Sequence, residues 1–250
     1  MSDDAARDPV AHGPRSTQAR IGLGRAGRGM PTAAMLAFQL DHARARDAVH
    51  TPLDVAAVTA ALGGSAVVVD SGAADRAAYL TRPDLGRCLA PASAAALAAQ
   101  RQGGCDLAIV LADGLSAAAL HAHGAAVATL VMAALADWRI AVPVIARQGR
   151  VALGDAIGAA LDAAMVLVLI GERPGLSSPD SLGAYLTWAP MVGRRDSERN
   201  CVSNIRPPHG LSHADARDTI VWLLREARRR GGSGVALKDL RQSGLVTGDG

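Results

Sequence analysis

At 250 residues, half of them apolar, the chain can bury one large core or a small and a medium one, and its composition speaks against a collagen, a coiled coil or a long disordered chain. The formal net charge is only +3, and the arginines are spread along a chain with one Phe, two Tyr and three Trp, which argues against a nucleic-acid reader. Cys88, Cys105 and Cys201 are odd in number and far apart, so a disulfide framework or zinc ribbon is not expected and a reducing cytoplasm is. No basic flank leads an apolar run at the N-terminus, so no signal peptide is read, and no apolar run is expected to span a membrane.

Residues 1–29 lack a period and are expected to form a flexible tail. Pro31 opens a helix over TAAMLAFQLDHARARDAV (32–49), with Met35, Leu36 and Leu40 at helical spacing. LDVAAVTAAL (53–62) predicts a second helix, stopped by Gly63 and Gly64. AVVVD (66–70) reads as a strand, and an Ala-rich helix is expected from Pro83 to about Gln102. This helix-rich region, 30–102, precedes a second unit, 103–250, in which the rhythm changes. There DLAIVLA (106–112), AVPVIAR (141–147) and AMVLVLI (164–170) are apolar runs alternating with helical patterns, one to about Trp138 and one over ALGDAIGAALD (152–162). Such alternation predicts an α/β fold on a doubly wound, mostly parallel, Rossmann-like sheet covered on both faces. Ser212 and Asp215 predict a capping box for a last helix with Ile220, Leu223, Leu224 and Ala227 on its apolar face, closed by three arginines and Gly231.

Ligands of such sheets bind beyond the carboxyl ends of the strands. Three loops qualify, at residues 113–116, 148–151 and 171–178, and all three should gather at one edge. The last is richest, with Glu172, Arg173 and a Pro-Gly turn; a functional loop and a solvated Glu–Arg pair are both open readings of it.

Other motifs fail on context. Gly22, Gly24 and Gly27 fit GxGxxG but follow no strand, so they are not a dinucleotide fingerprint. His121 and His123 stand two apart in a helical pattern, face different sides and make a poor metal pair. Ser116 lies outside a GxSxG elbow and reads as a helix N-cap. Cys201 and His209 do not by spacing make a nucleophilic pair, and a free structural cysteine is the simpler reading.

The run LVLIGERPGLSSPDSLGAYLTWAPMVGRRDSERNCVSNIRP (167–207) closely resembles the small subunit of ethanolamine ammonia-lyase. So do YLTRPDLGR (79–87), DLAIVLADGLS (106–116), RQGRVALGDAIG (147–158) and GRAGRGMPTAAMLAFQLDHARARDAV (24–49), in the family's order. The resemblance implies a Rossmann-like small subunit that holds adenosylcobalamin against a barrel-shaped large subunit. Together they would convert ethanolamine to acetaldehyde and ammonia by a radical mechanism, the cofactor carrying the hard step. Carried over by position, the cofactor contacts are Val151, Glu172 and Cys201, and no catalytic residue is expected on this chain.

A DxHxxG signature, which would offer a protein histidine to cobalt, is absent, so a base-on cofactor is expected. The amphipathic N-terminal helix that sends some relatives to a bacterial microcompartment is also unreadable in a segment broken by Pro9 and Pro14, so a cytoplasmic enzyme is expected, with packaging as the alternative. Two other functions stay in view: a nucleotide- or NAD-binding oxidoreductase, and a non-catalytic scaffold subunit.

Overall fold

The computed structural model describes residue 20, residues 23–101 and residues 103–237. The segment 1–19, most of the expected tail, lies outside the described residues, as does Gly22 of the GxGxxG match; Ala26 and Gly29 pair across a small turn.

The first two helices form where the sequence places them: α1 (Thr32–His50) follows Pro31, and α2 (Val55–Ala61) is capped by Asp54, whose side chain accepts from the Ala57 N–H at 2.9 Å. Strand β1 (Val67–Asp70) follows, then a short helix the pattern did not announce, α3 (Arg76–Thr81), capped by Asp75. The helix expected over residues 83–102 is broken. Leu85–Arg87 is a single 3-10 turn, and α4 (Pro91–Ala99) starts afresh with Pro91 at its first position. The cause is tertiary: the Gly72 N–H takes the Leu85 and Cys88 carbonyls, and the Arg150 N–H takes that of Gly86.

Strand β2 (Cys105–Ala112) leads into α5 (Ala117–Ala119), a π-helical turn at Leu120–Gly124, and α6 (Ala125–Ala134). By length and composition Ala117–Ala134 could cross a membrane, but half of it is buried, with Leu120, Val127 and Val131 packed in the core. Strand β3 (Val144–Arg147), α7 (Leu153–Ala160) and β4 (Ala163–Gly171) complete the expected alternation. Beyond them come β5 (Leu182–Trp188) and β6 (Arg199–Ile205), which the sequence reading missed, and α8 (His213–Arg230). Ser212 caps α8 by accepting from the Asp215 N–H at 3.1 Å, while its hydroxyl donates to the Asp215 carboxylate; Gly231 closes the helix at φ +66°.

The strands form one six-stranded sheet in the order β1-β3-β2-β4-β5-β6. Pairings among β1, β3, β2 and β4 are parallel, whereas β4–β5 and β5–β6 are antiparallel. The sheet is therefore mixed, not mostly parallel as expected, and its order departs from the 3-2-1-4-5-6 of a Rossmann sheet. The physical reason is the chain after β4: residues 172–181 make a loop with no crossover helix, so the next strand returns antiparallel.

Side-chain alternation explains the continuous apolar runs. Leu107, Ile109, Leu111, Leu167 and Leu169 meet α2, α6 and α8 on one face, whereas Ala108, Val110, Val166 and Val168 meet Leu97 of α4 and Leu153 and Ile157 of α7 on the other. The antiparallel strands are covered differently. Ala184, Leu186 and Val202 join the α8 core, but on the opposite face Tyr185 is half-buried and Cys201 and Ser203 are exposed. Both outer strands are blunted at one end. Asp70 of β1 binds the Ser93 hydroxyl and the Ala90 N–H, and Leu211 bridges to Ile205 of β6.

One ion pair fastens α7 to the antiparallel strands. Arg199 donates to both oxygens of Asp155 at 2.6 and 2.7 Å, and also to Thr187 Oγ1 and the Arg194 carbonyl, with both charged side chains 2 % exposed. Arg199→Ala would strand a buried carboxylate, so a loss of about 3–5 kcal/mol in urea unfolding is expected. Replacing both partners with Met and Leu should recover most of it; a single variant as stable as the parent would contradict this role.

Candidate functional site

The three strand-end loops do meet at one edge, and Asp113 is the first link. Its buried carboxylate accepts the Gln148 and Gly149 N–H groups, each at 3.1 Å, and lies 3.7 Å from Arg76. Burial pushes this carboxyl up, against the pull of those hydrogen bonds and of Arg76. Arg76 also binds the Gly114 and Val49 carbonyls, so β2, β3, α1 and α3 are tied at one point. The Tyr79 ring lies between Arg76 and Arg150, whose guanidinium carbons are 4.7 and 4.2 Å from its centroid. Its hydroxyl donates to the Gly149 carbonyl at 3.1 Å, and burial pushes its pKa up to about 12. Val151, next in the chain after Arg150, packs half-buried against the core beneath α7.

The second link is a backbone crossing. The Leu115 N–H donates to the Gly171 carbonyl at 3.0 Å, and Ser116 Oγ donates to the Pro179 carbonyl while accepting from the Ala119 N–H as the expected cap. A Cβ on Gly171 would stand 2.0 Å from the Ser116 carbonyl, and one on Gly114, at φ +55°, 2.3 Å from that of Gly171. Glycine at both positions lets the β2 and β4 loops touch.

Glu172 leaves this crossing and turns onto β5. Its carboxylate accepts the Ser181 hydroxyl at 2.6 Å and, at 3.4 Å, the Asn204 N–H. It lies flat because residue 183 is glycine: a Cβ there would meet Glu172 Oε1 at 2.9 Å and the Tyr185 ring at 3.1 Å. The solvated Glu172–Arg173 pair is therefore not what forms. Tyr185 stands opposite Cys201 across the β5–β6 ladder, so the two side chains share one face of the sheet. Burial pushes the Cys201 thiol up; the neighbouring Tyr185 hydroxyl opposes the rise and the Glu172 carboxylate adds to it. The Cys201 residue as a whole is exposed.

Glu172 and Cys201 are thus brought together through Tyr185, and Val151 shares their face of the sheet on the far side of β4. Sequence reasoning missed Ser181, Gly183 and Tyr185; the one signal pointing to the last was that the chain has only two tyrosines. Of the rejected motifs, His121 accepts the Asp54 N–H on the surface, while His123 is buried with Nδ1 3.0 Å from His213 Nε2, so the two do face different sides. Among the described residues no three His, Cys, Asp or Glu side chains cluster as metal ligands. A cavity of about 400 Å³ lined by Cys105, Trp138 and Leu161 lies at the opposite end of the parallel strands.

A thiol with a raised pKa carries less thiolate at a given pH. Followed by mass spectrometry at pH 8–9, Cys201 should react with iodoacetamide more slowly in the folded chain than in urea. Glu172→Gln should speed the folded reaction; equal rates in all three samples would refute the described environment.

Comparison with known proteins adds what geometry alone does not. The family model for Ethanolamine ammonia-lyase light chain (EutC) matches residues 7–238. A protein of Bradyrhizobium diazoefficiens named "Ethanolamine ammonia-lyase small subunit" is 56% identical over 246 residues, covering 96% of this chain and 94% of its own. Proteins of the same name from Rhodopseudomonas palustris and Azotobacter vinelandii are 57% and 50% identical, covering 90% and 100% of this chain and 88% and 96% of theirs. With a match of this extent and identity, the chain belongs to the ethanolamine ammonia-lyase small-subunit family.

Proposed function

We propose that this chain joins a larger subunit to convert ethanolamine into acetaldehyde and ammonia, and that it contacts adenosylcobalamin through Val151, Glu172 and Cys201. The observation that carries the cofactor reading is the fixed Glu172 carboxylate beside the open face of Tyr185 and Cys201. A corrin is a broad, largely apolar ring rimmed by amide side chains, so it suits a flat sheet face with an apolar edge and an aimed hydrogen-bond acceptor. Val151 offers the apolar edge. Glu172, held by Ser181, accepts from an amide N–H, and Cys201 packs against the ring without acting as a nucleophile. When bound, the cobalamin supplies radical chemistry through cobalt–carbon bond cleavage. The residues of this chain position it and limit water on one side; the amino alcohol meets groups of the larger subunit.

A dinucleotide reading is disfavoured by the turn after β2. Its Leu115 and Ser116 N–H groups are already given to the Gly171 and Asp113 carbonyls, and the Gly171 backbone occupies the space a phosphate would need. A scaffold reading leaves the held carboxylate on an open face without a use. The enzyme is read as cytoplasmic, where Cys88, Cys105 and Cys201 stay reduced.

Ammonia release from ethanolamine with adenosylcobalamin should need both subunits; turnover by this chain alone would overturn the reading. In the two-subunit enzyme, Glu172→Gln and Cys201→Ser should weaken cobalamin binding by about 5- to 30-fold, the effect of losing about 1–2 kcal/mol of contact. Turnover at saturating cofactor should change little. With no DxHxxG signature to offer a histidine to cobalt, the Co(II) spectrum should show coupling to the cofactor's own base; histidine nitrogen coupling would refute base-on binding.

A further inference from the structure

Six large apolar side chains lie exposed within one N-terminal stretch: Leu23, Met30, Met35, Leu36, Phe38 and Leu40. Four stand on the first half of α1, where Leu36 and Leu40 share one side by i,i+4 spacing and Met35 and Phe38 another by i,i+3. Leu36 is 59% and Leu40 51% exposed. The buried residue of the helix, Ala48, lies near its C-terminal end, where the Val49 carbonyl accepts from Arg76. A helix with apolar residues on two sides belongs inside a protein contact, since helices in proteins draw most of their stability from packing an apolar face.

We propose that α1, with the turn before it, is the arm by which this chain docks into an apolar, acid-rimmed groove on the larger subunit. This rests on the two-subunit reading above. Three features favour that occupant. The relatives are named small subunits, which implies a larger partner. The arm is basic, with Arg20, Arg25, Arg28, Arg44 and Arg46 against Asp41 and Asp47, so a complementary rim is acidic. The rest of this chain has little to cover it with: residues 1–19 offer Met1 and Val10 as large apolar side chains, and residues 238–250 offer Leu240, Leu245 and Val246.

The test measures association, not turnover. Leu36→Glu/Leu40→Glu should leave the circular dichroism and melting temperature of the isolated chain unchanged, yet weaken its binding to the purified larger subunit at least 100-fold. Met191→Glu, at an equally exposed apolar residue elsewhere, should bind as the parent does. In the parent, amide exchange over residues 32–47 should slow when the larger subunit is added. Parent-like binding by the double variant, or no slowing, overturns the arm. Self-association of the isolated chain that the double variant abolishes would assign the face to a second copy. Exchange already slow in the isolated chain, and restored by deleting residues 1–19, would assign it to the chain's own N-terminus; either result overturns the proposal. A parent chain that does not bind the larger subunit at all overturns the two-subunit reading and the arm with it.

Discussion

The arrangement of the candidate site depends on the buried Asp155–Arg199 pair. Asp155 sits in the first turn of α7, just after Val151, and Arg199 opens β6, two residues before Cys201. One bidentate contact therefore sets the helix that follows the apolar edge against the strands carrying the thiol. Thr187 and the Arg194 carbonyl take further guanidinium protons, so the charge is satisfied at both ends. Such a pair adds little net stability over apolar packing but tolerates few alternative positions of α7 on the hairpin.

Around this fastening, glycine performs a second kind of work. Gly114 and Gly171 allow two loop backbones to cross at contact, and Gly183 allows the Glu172 side chain to lie along β5. These positions bring the ends of β2 and β4 and the start of β5 together, with the Ile170 and Glu172 side chains lying where a Cβ would otherwise stand. The carboxylate is thereby aimed by backbone geometry and by Ser181, not by a counter-ion.

What could be read from the sequence follows from what each element buries. Strands β2, β3 and β4 were legible because both their faces are covered, which makes their apolar runs continuous. Helix α8 was legible from its cap, its stripe and its glycine stop. Strand β6 was not, since Arg199, Asn200, Cys201, Ser203 and Asn204 leave it only Val202 and Ile205 as apolar residues; its ladder with β5 and its packing against α8, neither of which its own residues announce, make it a strand. The break at residues 83–102 likewise depends on carbonyls claimed by Gly72 and Arg150 from elsewhere in the fold. At the site, the strand-end loops with Val151 and Glu172 were visible from topology, Cys201 only from family resemblance, and Ser181 and Tyr185 not at all, because nothing local ties them to Glu172.

The blunted outer strands set how the molecule can grow. With Asp70 of β1 engaged by Ser93 and Ala90, and Ile205 of β6 bridged by Leu211, the sheet offers no run of free ladder groups along its full length at either side. Assembly by strand exchange or sheet extension is closed off at those points. What the molecule leaves open for contact is the apolar first half of α1 and the bare face of β5 and β6, not its hydrogen-bonding rim.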